Sequence, residues 1–184
     1  SAALKAADKL RSRLVVTDKG AYVSSWGPME DPRGRASSAI DTMANIPLLY
    51  WAARESGDAS FRLAAEAHAQ MTMLSFRRPD DTLYHAFQGA HDESYWSRGT
   101  GWAVMGLATS AANSGNMDYL SQAIALSEKW FACLGDKPVP PYDFDAEGSG
   151  VPEDSAASAI MAAGLLDLAD LHPDAAVASH WREK

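Results

Sequence analysis

Ala39-Ile40-Asp41-Thr42-Met43-Ala44-Asn45-Ile46-Pro47-Leu48-Leu49-Tyr50-Trp51-Ala52-Ala53 is almost wholly apolar at helical length. A helix built from it is buried on every side, which marks an inner helix rather than a surface one. Pro47 is expected to kink it near its start. Set into this apolar wall is one carboxylate, Asp41. An unpaired charge in a low dielectric is costly, so a buried Asp must be paired, hydrogen-bonded, or protonated for chemistry. Asp is also favoured where helices begin, and Ser37-Ser38-Ala39 reads as a helix start, so an N-terminal cap is the competing reading.

On either side of this stretch the sequence falls into helical pairs. The first residues, Ser1 to Leu10, read as an amphipathic helix, and Gly20 to Trp26 alternates like a short extended piece before a loop containing Gly27-Pro28 and Asp31-Pro32-Arg33-Gly34. The organising helix ends near Ser56-Gly57-Asp58, where Gly57 suits a C-terminal cap and Asp58 can cap the next helix. That next helix, Ala59 to about Phe76, carries Phe61, Ala64, Ala67, Met71 and Leu74 on one stripe, as an outer helix would. Beyond a loop through Arg78-Pro79-Asp80-Asp81 and Tyr84 to Gly89 come an apolar helix over Tyr95 to Ala112 and a more amphipathic one over Met117 to Leu134. A Pro- and Gly-rich loop, Pro138 to Pro152, leads to a small-residue helix over Ser155 to Leu171 and a last helix over Ala175 to Arg182.

The connectors Ser56-Gly57-Asp58, Ser114-Gly115-Asn116 and Leu171-His172-Pro173-Asp174 recur about every 58 residues, each joining an apolar helix to a more polar one. Long loops precede the apolar member each time. This pattern predicts an all-α ring of helical hairpins, inner helices at the centre and loops gathered at one end to build a site, with an ordinary helical bundle as the simpler alternative.

A length of 184 residues supports one sizeable core. The net charge of −8 argues against nucleic acid or an anionic membrane as partner, since both require a basic face. No apolar run reaches the roughly 18 residues of a spanning helix. Cys133 is the single cysteine, so no internal disulfide forms, and its setting in Trp130-Phe131-Ala132-Cys133-Leu134 predicts a buried structural thiol. A chain that opens without Met in mid-helix is expected to be a central-to-C-terminal piece of one longer domain.

Trp26, Tyr84, Trp96 and Trp102 fall in or beside the loops that would share the site end. Their flat faces suit sugar rings, although aromatics also simply fill cores. Arg98 and Trp102 are four apart and share a helical face. The helix dipole does not explain an Arg near a helix start. Its fork matches a carboxylate, either that of an acidic ligand or that of Asp92 or Glu93 in a structural pair. His85 and His91 lack metal-ligand spacing, and neither a phosphate-cradling glycine loop nor a nucleophile elbow is present. No metal or cofactor is expected.

Asp41 to Ala53, Thr82-Leu83-Tyr84-His85 and Glu93-Ser94-Tyr95-Trp96-Ser97-Arg98-Gly99-Thr100-Gly101-Trp102 together resemble the unsaturated glucuronyl hydrolases of glycoside hydrolase family 88, and Asp154 to Ile160 agrees with the family's later inner helix. The resemblance runs over nearly the whole chain. It implies an (α/α)6 barrel, here incomplete, and removal of the 4,5-unsaturated uronic acid that polysaccharide lyases leave on oligosaccharides, by hydration of a vinyl ether. By the same resemblance Asp41 is the general acid/base, His85, Gln88 and Arg98 are polar residues of the substrate site, and Trp26, Trp96 and Trp102 are aromatics lining it. The family's second important aspartate has no counterpart in this chain, and Phe87 stands where the family has a histidine. A bacterial enzyme of the cytoplasm or periplasm is implied. Arg98-Gly99-Thr100-Gly101-Trp102 also leans towards family 105, the unsaturated rhamnogalacturonyl hydrolases. The alternative of another class is a non-catalytic part of a helical toroid that binds acidic sugar or a partner chain through its open edge.

Overall fold

A computed structural model describes residues 1–88, 90–92, 94–146, 148 and 150–184. Helix α1 (Ala2–Arg11) is followed by an antiparallel hairpin of β1 (Leu14–Thr17) and β2 (Gly20–Val23), registered Leu14 to Val23 and Thr17 to Gly20. The short α2 (Pro32–Arg35) starts at the Asp31 cap, whose carboxylate accepts from the Arg33 amide at 2.8 Å. Strand β3 (Ser37–Ala39) then runs into a 3-10 turn (Ile40–Ala44) and helix α3 (Ile46–Ser56). The rest is α4 (Ala59–Ser75), β4 (Ala86–Gln88), α5 (Ser97–Ser114), α6 (Asp118–Leu134), α7 (Ser155–Leu171) and α8 (Ala175–Glu183).

The hairpin reading of the repeats holds. Gly57 and Gly115 end α3 and α5 at φ 74° and 73°, a left-handed conformation that Gly adopts without strain, and Asp58 and Asp174 cap the partner helices α4 and α8. Each apolar helix packs on its successor, α3 on α4, α5 on α6 and α7 on α8, while α5 lies closest of all to α7. Helices α3, α5 and α7 thus form the inner layer, with α4, α6 and α8 outside. Eleven of the eighteen residues of α5 are buried, because it has neighbours on both flanks and behind. Glycines permit that crowding. A Cβ on Gly106 would sit 2.8 Å from the Met43 carbonyl oxygen, and one on Gly164 would sit 3.0 Å from the Met105 amide nitrogen, so backbone meets backbone at both seams.

Four expectations fail here. The stretch from Ala39 to Ala53 is not one helix: Ala39 is taken by β3 and the next five residues by the 3-10 turn, so α3 begins at Ile46. Pro47 does not kink it, since proline in the first turn removes only an amide that has no helical partner. On α4 the apolar stripe ends before Leu74, which is 67% exposed, because the buried face turns through Ala65, His68, Ala69 and Thr72 instead. On the outer helix α6, Cys133 is exposed rather than buried, its last turn being anchored by Phe131 and Leu134. Among the described residues no helix is long and apolar enough to cross a membrane.

Candidate active site

The loops that lead into the inner helices are tied to one another at one end of the layer. Strands β3 and β4 pair Ser37 with Gln88 and Ala39 with Ala86, and the Ile40 amide donates to the His85 carbonyl at 3.0 Å. The Ser97 amide donates to the Tyr142 carbonyl at 3.0 Å, Tyr142 N–H to the Pro152 carbonyl at 2.7 Å and Asp154 N–H to the Pro140 carbonyl at 2.8 Å. The starts of α5 and α7 therefore share one rim with the 3-10 turn. Two serines pin the first loop to that turn. The Ser25 hydroxyl accepts from the Ala39 amide at 2.7 Å and lies 2.9 Å from the Thr42 hydroxyl, and the buried Ser37 hydroxyl accepts from the Trp26 amide at 3.1 Å. Buried hydroxyls so used are satisfied and rigidify what they join.

Asp41 stands in the first turn of the 3-10 segment. It caps neither that turn nor α3, whose preceding residues are Ala39 and Asn45, so the cap reading fails. It is also not buried: its side chain is 49% exposed, because the turn lifts it out of the apolar wall that Ile40, Thr42 and Met43 enter. His85 Nε2 lies 3.8 Å from Asp41 Oδ2, and His85 Nδ1 lies 3.5 Å from Asp92 Oδ2, so the imidazole stands between two carboxylates. The Ser94 hydroxyl and amide donate to Asp92 Oδ1 at 2.7 and 2.9 Å, and these bonds, with a smaller share from His85, hold the Asp92 carboxyl below the usual carboxylate range.

The ring of His85 packs on Trp96 at 4.5 Å between centroids, and on the same indole the Arg98 guanidinium lies 4.9 Å from the ring centre. Trp96 is 6% exposed and also meets Tyr142, so it is a shared floor for His85 and Arg98 rather than an open platform. The expected pairing of Arg98 with Asp92 is not found, since Asp92 faces His85, and Glu93 lies outside the described residues. Among the described residues the carboxylate that faces Arg98 is Asp154, with Nε 3.5 Å from Oδ2. Nothing in the sequence paired these two residues 56 positions apart except that both open inner helices.

The structure thus links Asp41, His85, Trp96 and Arg98 by a run of contacts. Trp26, 37% exposed, is tied by its amide to Ser37, which pairs with the exposed Gln88. Trp102 is half-buried one turn along α5 from Arg98. Among the described residues no three of His, Cys, Asp and Glu are arranged to hold a metal. A cleft of about 580 Å³ lined by Met73, Arg77, Gln122 and Lys129 lies between α4 and α6 and includes none of these residues. The rim can bring together a carboxyl group open to a ligand, an imidazole beside it, and a guanidinium held flat on an indole.

No family model matches the chain. It is 37% identical over 184 residues to the unsaturated glucuronyl hydrolase of Bacillus sp. strain GL1, an alignment covering 91% of this chain and 48% of that protein. The crystal structure of unsaturated glucuronyl hydrolase from Bacillus sp. GL1 superposes with a TM-score of 0.88 at 32% identity, over 98% of this chain and 52% of that one. A further solved structure, with dGlcA-Glc-Rha-Glc, superposes with a TM-score of 0.84 at 33% identity over 98% of this chain and 53% of that one. The chain spans about half the length of the curated relatives it matches. In sequence and in the α/α-barrel fold, the chain is similar to about half the length of the unsaturated glucuronyl hydrolases of glycoside hydrolase family 88.

Proposed function

We propose that this chain forms the acid/base half of an unsaturated glucuronyl hydrolase, within a longer (α/α)6 catalytic domain, and acts on the 4,5-unsaturated uronic acid at the end of lyase-generated oligosaccharides. The observation that carries the reading is the rim itself: an open Asp41 carboxyl 3.8 Å from His85, joined through the Trp96 indole to Arg98.

In this reading Arg98 receives the uronate carboxylate, a planar anion that matches the guanidinium fork. With the sugar so placed, Asp41 as the acid delivers its proton to C4 of the vinyl ether, leaving positive charge at C5 shared with the ring oxygen. Water adds at C5 and gives its proton back to the Asp41 carboxylate, and the hemiketal that results opens and releases the rest of the oligosaccharide. The structure leaves Asp41 half exposed, so the bound sugar has to supply the burial that favours a neutral carboxyl group. Trp26 and Trp102 offer apolar surface to the sugar, and Gln88 and His85 offer hydrogen bonds. The net charge of −8 leaves attraction of the acidic ligand to local groups, chiefly Arg98. A bacterial cytoplasmic or periplasmic setting goes with such a substrate.

The test is to incubate the full-length gene product with unsaturated uronyl disaccharides and to follow the ultraviolet absorbance of the conjugated double bond. Loss of absorbance with release of the second sugar is expected, and a saturated disaccharide should be left intact. Absorbance that stays constant across unsaturated glucuronyl substrates of different linkage would overturn the reading, and turnover confined to rhamnogalacturonan products would move the protein to the family 105 activity.

A further inference from the structure

Asp154 divides its carboxylate between two tasks. Oδ1 accepts from the Ala157 amide at 3.2 Å and caps α7. Oδ2 is buried, makes no hydrogen bond among the described residues, and lies 3.5 Å from Arg98 Nε. Capping accounts for one oxygen and would be met as well by Ser or Asn. It does not account for a second, buried oxygen facing a cation, because a buried anion without a partner is unfavourable.

We infer that Asp154 is the positioning residue for Arg98. The inference rests on the reading of Arg98 as the group that binds the substrate carboxylate. Nε is the guanidinium donor that points back along the side chain, so a carboxylate facing it leaves both Nη groups for a second carboxylate. Trp96 bounds the guanidinium on its face at 4.9 Å and Asp154 bounds it on its Nε edge, while among the described residues neither Nη group makes a hydrogen bond. Arg98 is 32% exposed and Asp154 only 6%, so the fork is open to a ligand while the residue that aims it is shielded from water. Asp154 touches no substrate atom in this account. It fixes where the fork stands, and the charge of the pair stays balanced until the ligand arrives.

The test uses Asp154→Asn and Asp154→Ser in the full-length gene product, with an unsaturated uronyl disaccharide as probe. Both substitutions keep a cap and remove the charge, so melting temperatures should stay near wild type. Loss of aim should raise KM about tenfold in both, with kcat within about twofold, because the uronate is held less well while Asp41 is untouched. In an Arg98→Lys background, Asp154→Asn should raise KM by less than about twofold further, since the two act as one unit. An unchanged KM in both variants, with Arg98→Lys raising it, would reduce Asp154 to a cap and overturn the inference alone. A lowered KM would show that its charge merely opposes the ligand and would also overturn it. If Arg98→Lys itself leaves KM unchanged, the substrate-binding reading of Arg98 falls and this inference with it.

Discussion

His68 on α4 gives a stability prediction that the structure makes quantitative. Its ring is wholly buried, Nδ1 accepts from the Val23 amide at 3.1 Å, and Nε2 lies 3.4 Å from the Thr72 hydroxyl. Burial pushes the imidazole down from its ordinary value of 6.5 to about 4, and among the described residues no carboxylate contacts it to offset this. The folded protein therefore takes no proton there until about pH 4, whereas the unfolded chain takes one near 6.5. Stability from this residue is complete above about pH 6.5 and is lost as pH falls towards 4. At about 1.4 kcal/mol per pH unit the loss is about 2 kcal/mol by pH 5 and at most about 3 kcal/mol below pH 4. Protonation of Nδ1 also removes the acceptor for Val23, which ties α4 to β2. Urea unfolding of the full-length gene product at about pH 7.5 and about pH 5 measures it, with His68→Gln as the comparison that lacks the titrating group but keeps an acceptor. Carboxylates titrate alike in both proteins, so the difference of differences isolates His68. Wild type and variant that lose equal stability between the two pH values would refute the reasoning.

Gly106→Ala places a Cβ 2.8 Å from the Met43 carbonyl in the turn that carries Asp41. Overpacking of about 1–3 kcal/mol, partly offset by about 1 kcal/mol of helix propensity, should lower the melting temperature, and kcat/KM should fall as Asp41 shifts. Gly164→Ala crowds the seam with Met105 instead, and should lower the melting temperature with little change in kcat. Equal kinetics in the two variants would show that Asp41 is not positioned through this contact. Arg98→Lys keeps the charge but loses the planar fork, so binding of the unsaturated uronate should weaken by about 1–3 kcal/mol, read as a raised KM with the melting temperature unchanged. A lowered melting temperature with normal KM would make Arg98 a structural residue.

Sequence patterns located the hairpins because their signals are local: Gly57 and Gly115 at helix ends, Asp58 and Asp174 at helix starts, and apolar stripes between them. What they missed depends on neighbours distant in the chain. Ala39 has ample helical propensity, yet its backbone is claimed by β4, and propensity yields to a ladder that pins Asp41 at a rim. Pro47 in the first turn of α3 was a usable sign of the true helix start. Leu74 and Cys133 lie near the ends of their helices, where apolar character alone does not tell which side still has a packing partner. Asp154 reads locally as a cap and nothing more, and its bearing on Arg98 exists only once α7 lies against α5. The candidate site residues were suggested by resemblance alone, whereas the contacts of Ser25 and Ser37, ordinary loop residues by composition, required the fold.

The central claim is that Asp41 moves the proton. Asp41→Asn keeps the shape of the side chain, removes the group that gives a proton to C4, and leaves Arg98, Trp96 and Asp154 in place. Turnover of an unsaturated uronyl disaccharide by the full-length gene product, followed by loss of the double-bond absorbance, should fall at least about 10²–10⁴-fold while substrate binding and the melting curve stay near wild type. Turnover within a few fold of wild type would contradict the account.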